Sequence, residues 1–334
     1  MFLFYLVASG LVIFVFVARP GIDGNPRAMF TDAVYGAAHK PYVYRTLLPT
    51  TVRVISSLTP EQLKQRVNAD FWRRRTAKLL NWNRDHIYDY MLAILVMWLC
   101  FLGFAYALRS LLRATYRYPP NVTDFAPLVG LLAIPLLFRY YSYLYDPSNL
   151  FLFTLCIVAL YKRSLIYFYA LFVLATLNKE TSILLVALFV AHNIRREKSF
   201  WLGAHALALI SIWVAVKAFL FFVFRHNPGT FVELHLGDHN LRLLSQHPFS
   251  TLYLIVVFFV SFLLVRSRWS QKPLFLRQGL LITVIPLVAG ALFFGFVDEL
   301  RGYYEAFPFL FLLALPTVGD IFDISQTSTP ESNA

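Results

Sequence analysis

The sequence is poor in charge. Asp, Glu, Lys and Arg make up 14% of its 334 residues, whereas charged residues form about a quarter of a soluble globular domain. Long apolar runs recur along the whole chain, and the mean hydropathy is +0.60. This composition argues against a soluble domain and predicts a polytopic integral membrane protein.

Cysteine is scarce as well. Cys100 and Cys156 are the only two, and both lie in apolar runs, so the sequence holds no disulfide framework and no cysteine-rich metal motif. The runs also lack the alternation of apolar and polar residues that marks a transmembrane β-strand. A helix satisfies its own backbone hydrogen bonds in lipid. The predicted fold class is therefore all-α, a polytopic transmembrane helical bundle.

The apolar runs predict about ten spans, several of them shorter than the roughly twenty residues that cross a bilayer. Short spans suggest broken helices or helices partly buried in protein. The predicted spans are 2–18, 88–108, 125–138, 149–161, 164–177, 181–194, 200–224, 250–265, 278–297 and 305–319.

The spans are expected to form one transmembrane domain over 1–319. Its first segment, Met1–Ala18, lacks a basic start and a cleavage site, so we interpret it as a retained span and not a signal peptide. A large first loop, 19–87, should carry helices at the membrane surface, because 61–80 is basic and partly amphipathic. The polar tail, 320–334, has the composition of a disordered segment.

Lys and Arg outnumber the acids, and the net charge is +12. They concentrate in the short loops on the side of the N-terminus, which the positive-inside rule makes cytoplasmic. Contact with lipid headgroups explains such a charge, and no nucleic-acid partner is expected.

Four polar residues, Asn178-Lys179-Glu180-Thr181, interrupt a long apolar run. One helix through that run would put its two basic ends, Lys162-Arg163 and Arg195-Arg196, on opposite sides of the membrane. We therefore predict a hairpin with the polar residues at its outer tip. A charge pair buried inside one long span is the alternative.

Acids, amides, histidines and aromatic residues gather in the loops opposite the N-terminus, which is the pattern of an extracytoplasmic active site. Simpler interpretations remain open. Asp146 can cap the helix that follows it, Lys179 and Glu180 can form a local ion pair, and 297–301 can be a solvated loop.

The first loop holds the most specific pattern. Asp32-Ala-Val-Tyr35 is followed by Pro41-Tyr42, then by Arg45 and Pro49. With the short motifs YDPSN (145–149) and NKET (178–181), this arrangement resembles the GT-C superfamily of membrane glycosyltransferases. Those enzymes are helical, take a sugar from a polyprenyl-phosphate carrier on the extracytoplasmic face, and carry a catalytic acid in a large first outer loop.

The resemblance implies roles for particular side chains. Asp32 is the first choice for the general base and Asp23 the second. The residues expected to bind the donor phosphate are Arg45, Lys179 and Arg301. Those expected to bind the sugar or the acceptor are Asp146, Asn149, Asn178, Glu180, Glu299, Tyr42, Tyr303 and Tyr304.

A divalent cation, Mg²⁺ or Mn²⁺, is a possible cofactor, and Asp32 with Asp146 would then be the expected ligands. His235 and His239, with Asp238 between them, form a second conceivable metal site, but no third ligand follows a known pattern.

The expected activity is transfer of a sugar from a polyprenyl-phosphate donor to an acceptor hydroxyl on a glycan, a lipid or a protein. The expected location is a bacterial inner membrane, which the chain crosses many times. Three alternatives stay open: a transporter or flippase of a lipid-linked anionic substrate, a glycan polymerase or ligase, and a non-catalytic scaffold.

Overall fold

The computed structural model describes residues 1–19, 21–72, 82–230, 232 and 234–324. Throughout these residues the regular structure is helical and no β-strand occurs, which confirms the all-α prediction. The α-helices of this part of the chain are α1 (Phe2–Ala18), α2 (Phe30–Tyr35), α3 (Leu47–Leu58), α4 (Glu61–Trp72), α5 (Ile87–Thr115), α6 (Pro120–Ala133), α7 (Tyr145–Tyr161), α8 (Leu165–Asn178), α9 (Leu184–Asn193), α10 (Ser199–Val223), α11 (Leu241–Gln246), α12 (Pro248–Arg266), α13 (Leu274–Phe294) and α14 (Phe307–Ile321).

Each of the ten predicted spans overlaps one of the longer helices. Five helical segments are long and apolar enough to cross a membrane, and α1, α7, α8, α9 and α14 are apolar but shorter. The chain is therefore a membrane protein by length and composition of its helices. The crossing of all ten segments and the cytoplasmic N-terminus stay predictions. The five long segments are Arg84–Thr115, Pro120–Leu137, Ser199–Val223, Pro248–Arg266 and Leu274–Phe294.

The core is built around α5, which packs against α1, α6 and α7, while α7 packs against α8. Two glycines let aromatic rings approach the backbone of a neighbouring helix. A Cβ on Gly279 of α13 would lie 2.2 Å from the Phe309 ring of α14, and one on Gly103 would lie 2.6 Å from Phe151. Small residues at helix contacts are typical of membrane bundles, where close packing replaces the hydrophobic effect.

The predicted hairpin is present. Helix α8 ends at Asn178, and Lys179 is extended, with φ −156° and ψ 147°. The chain then turns back into α9, so that the rings of Phe168 and Phe189 stack with centroids 5.6 Å apart. Donors from elsewhere satisfy the last carbonyls of α8, which a helix end leaves open.

The first loop contains α2, α3 and α4, and both α3 and α4 pack against α5. Of the predicted surface segment 61–80, the part up to Trp72 is helical, and residues 73–81 lie outside the described residues. The same holds for most of the predicted disordered tail, since description ends at Ile324.

Candidate functional site

Four polar segments meet at one end of the bundle, which we call the polar end: residues 21–46, 139–149, 178–182 and 297–305. Arg45 from the first loop reaches the hairpin tip, where its Nε and Nη2 donate to the carboxylate of Glu180, the former at 3.2 Å. Its Nη1 donates to the hydroxyl of Tyr145. Burial alone would lower the pKa of Arg45, but the Glu180 carboxylate raises it above its usual value.

Glu305 is an acid of the polar end with no exposed surface. Its Oε1 accepts from Lys179 Nζ at 2.9 Å, from Asn149 Nδ2 at 3.0 Å and from the hydroxyl of Thr181. Its Oε2 is buried without a hydrogen bond. A single carboxylate oxygen thus joins the helix that starts at Tyr145 to the hairpin tip.

Arg301 forms the third ion pair. Its Nη1 lies 3.3 Å from both carboxylate oxygens of Asp146, which is completely buried. Its Nε and Nη2 donate to Glu299 Oε1 at 2.9 and 2.7 Å. The guanidinium also lies over the ring of Tyr143, 4.0 Å from the centroid.

Three stacked tyrosines connect the ion pairs of Arg45 and Arg301. Tyr143 lies between Tyr42 and Tyr145, with ring centroids 5.3 Å apart in both contacts. Arg45 lies over the ring of Tyr145, 4.3 Å from its centroid. Arg45 and Arg301 therefore each make a cation–π contact with a tyrosine of the stack. Asn25 Nδ2 donates to the Tyr143 hydroxyl at 2.6 Å, which fixes the first loop to this stack.

Asn178 has a structural role in this arrangement. Its Oδ1 accepts from the Ser148 hydroxyl at 2.6 Å, and its Nδ2 donates to the Tyr145 carbonyl at 3.0 Å. It is fully buried, so it ties α8 to the start of α7 and offers no free group to a ligand.

Helix α10 supplies a further cation that the sequence analysis did not single out. Lys217 is buried, and its Nζ donates to the Thr176 carbonyl at 2.8 Å, at the end of α8. Its positive charge favours the ionised form of the Glu180 carboxylate. Trp213 from the same helix donates to the Glu180 carbonyl at 3.1 Å. Both contacts stabilise the interruption of the helix at Lys179.

The two candidate bases lie close enough for their charges to interact. Asp23 is held by the Phe30 N–H at 2.7 Å and by the Tyr90 hydroxyl. Burial raises the pKa of Asp23, the two hydrogen bonds oppose that shift, and the nearby Asp32 charge adds to it. The half-buried Asp32 carboxylate has no hydrogen bond or ion pair with the residues the structure describes.

Tyr35 follows Asp32 by one turn of α2, so the two side chains share a face of that helix. The Tyr35 hydroxyl donates to Asp89 Oδ2 at 2.8 Å, and His86 Nδ1 lies 3.1 Å from the same oxygen. Burial and the Asp89 carboxylate raise the pKa of Tyr35 to about 12. The tyrosine of the first-loop motif therefore anchors α2 to the start of α5.

Two of the simpler interpretations are wrong. Lys179 and Glu180 form no local pair, because Lys179 binds Glu305 and Glu180 binds Arg45. The 297–301 segment is not a solvated loop, since Asp298 has no exposed surface and Arg301 is 8% exposed.

The two predicted tyrosines, Tyr303 and Tyr304, lie in different surroundings. Tyr304 is buried, its hydroxyl has no hydrogen bond, and its ring lies near the charge of Asp146. Tyr303 donates to the Val297 carbonyl at 3.1 Å and packs against Phe258, away from the ion pairs.

The predicted metal ligands do not fit a metal. Both oxygens of Asp146 face Arg301, and Asp32 lies near Asp23 instead. His235 pairs with Asp238, and His239 Nε2 lies 3.0 Å from Asp298, a different carboxylate. In the described parts of the chain no three His, Cys, Asp or Glu side chains are placed to hold a metal ion.

Glu305, Lys217, Tyr143 and Tyr145 belong to the site but were not among the predicted residues. Glu305 had a signal, because an acid two residues before the apolar helix α14 must find a partner or stay in water. Lys217 had the same signal, as the one cation within the apolar α10.

No protein-family model matches this chain, and neither a curated protein nor a solved structure matches it. The function has to be inferred from the residues of the polar end.

Proposed function

We propose that this membrane protein is a glycosyltransferase that moves a sugar from a polyprenyl-phosphate donor to an acceptor hydroxyl, with Asp32 as the general base. The proposal places the polar end on the extracytoplasmic face of a bacterial inner membrane. One observation carries it. Asp32 is a half-buried carboxylate of the polar end without a partner among the described residues, whereas the buried acids there, Asp146 and Glu305, each have one.

A free carboxylate in a partly dry site suits the removal of a proton from an acceptor hydroxyl. The acceptor oxygen attacks the anomeric carbon of the sugar while its proton moves to Asp32. The bond from the anomeric carbon to the phosphate oxygen breaks, and the electron pair leaves with the carrier phosphate. Because a phosphate is a good leaving group, the site needs no strong general acid.

The donor phosphate requires fixed positive charge, which Arg supplies best through its planar fork of donors. Arg45, Lys179 and Arg301 are all paired with carboxylates. Glu180 is the most exposed of those partners, at 44% of its side chain. We infer that the phosphate replaces Glu180 on Arg45, so that the released carboxylate can accept a hydrogen bond from a sugar hydroxyl.

Asp146, Asn149 and Glu299 keep the remaining cations in place in this proposal, and the stacked rings of Tyr42 and Tyr143 form one wall of the sugar site. Rigid aromatic faces bind a sugar ring or an isoprenoid with little loss of side-chain freedom. The acceptor is a glycan, a lipid or a protein, and each carries the hydroxyl that the reaction needs.

Sugar transfer in proteoliposomes tests the proposal, with a panel of radiolabelled polyprenyl-phosphate sugars as donors. We expect transfer by the wild type and a loss of at least about a hundredfold in Asp32→Asn, the scale of a lost general base. Asp238→Asn is the matched control, because Asp238 is an exposed acid whose partner, His235, lies outside the ion-pair group.

Undiminished transfer in Asp32→Asn would move the base to another residue, with Asp23 next. Absence of transfer with every donor, together with movement of the labelled carrier across the bilayer, would replace the enzyme by the flippase alternative.

A further inference from the structure

A cleft of about 390 Å³ opens at the polar end, beside the start of α12. It lies on the outer side of the segment that carries Arg301, because Leu300 lines the cleft while the next residue points to Asp146. The lining residues are Leu136, Phe138, Arg139, Phe249, Ser250, Tyr253 and Leu300. None of them belongs to the ion-pair group assigned to sugar transfer.

Arg139 is the only cation in this lining, and it is held in position. Its Nη2 donates to the Ser250 hydroxyl at 2.9 Å and lies 3.2 Å from Asp298 Oδ2. Its guanidinium also lies over the rings of Tyr140 and Tyr253, 5.3 and 5.7 Å from their centroids. A guanidinium fixed in this way loses little freedom when it binds a further group.

Asp298 is the anchor that holds Arg139. It has no exposed surface, and it also accepts from the Tyr140 hydroxyl and lies 3.0 Å from His239 Nε2. The Nε and Nη1 groups of Arg139 make no hydrogen bond within the described residues, and the side chain is 26% exposed. Arg139 therefore presents unused donors to the cleft.

The walls of the cleft are apolar and exposed. Phe249 is 88% exposed, Leu136 71% and Tyr253 43%. Phe249 and Tyr253 belong to the first two turns of α12, one of the five segments able to cross a membrane. An exposed apolar wall at the beginning of a span faces lipid, at the depth where acyl chains meet headgroups.

We propose that this cleft binds the phosphodiester headgroup of an anionic glycerophospholipid. The phosphate accepts from the free donors of Arg139 and from Ser250, and the acyl chains lie along α12. The phosphodiester takes charge-assisted hydrogen bonds from Arg139, and the N-terminal end of α12 adds its positive dipole.

A lipid-linked sugar fits this cleft poorly. Arg139 and Ser250 are the only lining side chains with polar groups apart from the Tyr253 hydroxyl, which points to the Leu136 carbonyl at 3.4 Å. The hydroxyls of a sugar ring would find few partners and lose their hydrogen bonds to water. A glycerol phosphodiester makes no such demand, and this site is independent of the proposed sugar transfer.

The test is a titration of fluorescent phosphatidylglycerol into the full-length protein in phosphatidylcholine nanodiscs. We expect saturable binding of one lipid per protein. Arg139→Gln should weaken that binding about tenfold, the scale of a lost charge-assisted hydrogen bond, and Arg139→Lys should weaken it less, since it keeps the charge. Arg242→Gln is the control, because it removes an exposed cation from the same end.

Equal affinity in wild type and Arg139→Gln would overturn the site. So would an equal loss in Arg139→Gln and Arg242→Gln, which would show a nonspecific charge effect. Displacement of the fluorescent lipid by a polyprenyl-phosphate sugar, at concentrations where unlabelled phosphatidylglycerol fails, would also overturn it and assign the cleft to the donor. Thermal unfolding of each variant in detergent separates lost binding from lost folding.

Discussion

Charges are handled in opposite ways at the two ends of the bundle. At the polar end, Lys179 and Glu305 form an ion pair whose side chains are 8% and 0% exposed. At the opposite end, Arg268 and Asp320 lie 2.9 Å apart with 58% and 40% of their side chains exposed. The second pair keeps its water, whereas the first has given up its hydration on both sides.

The difference in exposure between the two pairs indicates that the polar end is the costlier place for charge. A buried ion pair regains its desolvation energy only with near-ideal geometry, and apolar residues of the same volume are often more stable. The polar end holds two such pairs, Lys179–Glu305 and Arg301–Asp146, beside the more exposed pair of Arg45 and Glu180. An arrangement of this kind is expected where positioned charge serves binding or catalysis.

The largest effect is expected from Glu305→Gln. The substitution keeps the volume but leaves Lys179 buried without its counter-charge, and breaking a buried pair in this way costs about 3–5 kcal/mol. Thermal and SDS-induced unfolding in detergent measure the loss. Glu61→Gln serves as control, since Glu61 is 66% exposed. A loss of unfolding free energy no greater than that of the control would contradict the difference between the two ends.

Arg301→Met is expected to have the next largest effect, about 3 kcal/mol, because Asp146 then stays buried without its cation. The double variant Arg301→Met, Asp146→Asn should be more stable than Arg301→Met alone, since it removes the orphaned charge. The coupling free energy from this cycle should lie near 1–3 kcal/mol, which is about the range for residues in direct contact. Additive losses would contradict a buried pair.

At the opposite end, Asp320→Asn should change the free energy of unfolding by less than about 1 kcal/mol, because exposed ion pairs contribute little. The same unfolding assay at low and high salt checks it. We expect the small effect to shrink further as salt rises. A loss as large as that of Glu305→Gln would show that this exposed pair stabilises the protein as much as a buried one, contrary to the prediction.

The smallest effect concerns pH. Burial raises the pKa of Asp23, so the folded protein holds that proton to a higher pH than the unfolded chain does. The free energy of unfolding should therefore fall as pH rises from the usual carboxyl range through the raised pKa. Asp23→Asn should remove this part of the pH dependence. An unchanged slope in the variant would show that other groups cause it.

The helices of this chain were readable from its apolar runs, because lipid leaves the backbone few other choices. The hairpin at 178–181 was readable too, from the basic residues at both ends of its two helices. Span ends were less well defined. Helix α5 begins at Ile87 and extends to Thr115, beyond the predicted 88–108, since a polar side chain at a helix end is tolerated by the headgroup region.

The pairing of the charges was not readable. Lys179 and Glu180 are neighbours in sequence, but Lys179 is extended, and successive side chains then point in different directions. Each found a partner from a distant segment, Glu305 and Arg45 respectively. Sequence adjacency says nothing about which loops meet, because that depends on how the helices between them pack.

The two aromatic neighbours Tyr303 and Tyr304 teach the same lesson on a smaller scale. Tyr303 ends a 3-10 turn and Tyr304 caps it, and neighbouring residues of such a turn point about 120° apart. Only Tyr304 faces Asp146. A pattern of tyrosines predicted an aromatic lining, and the helical phase decided which ring belongs to it.

The contact of the Phe309 ring with Gly279 links an apolar position to the charged residues. Phe309 follows Glu305 by four residues, about one helical turn, and a Cβ at position 279 would meet its ring at 2.2 Å. A larger residue at position 279 would therefore require the Phe309 ring to move. The volume allowed at position 279 is therefore limited by a ring that lies one helical turn from Glu305, the carboxylate bound to Lys179 and Thr181 of the hairpin tip.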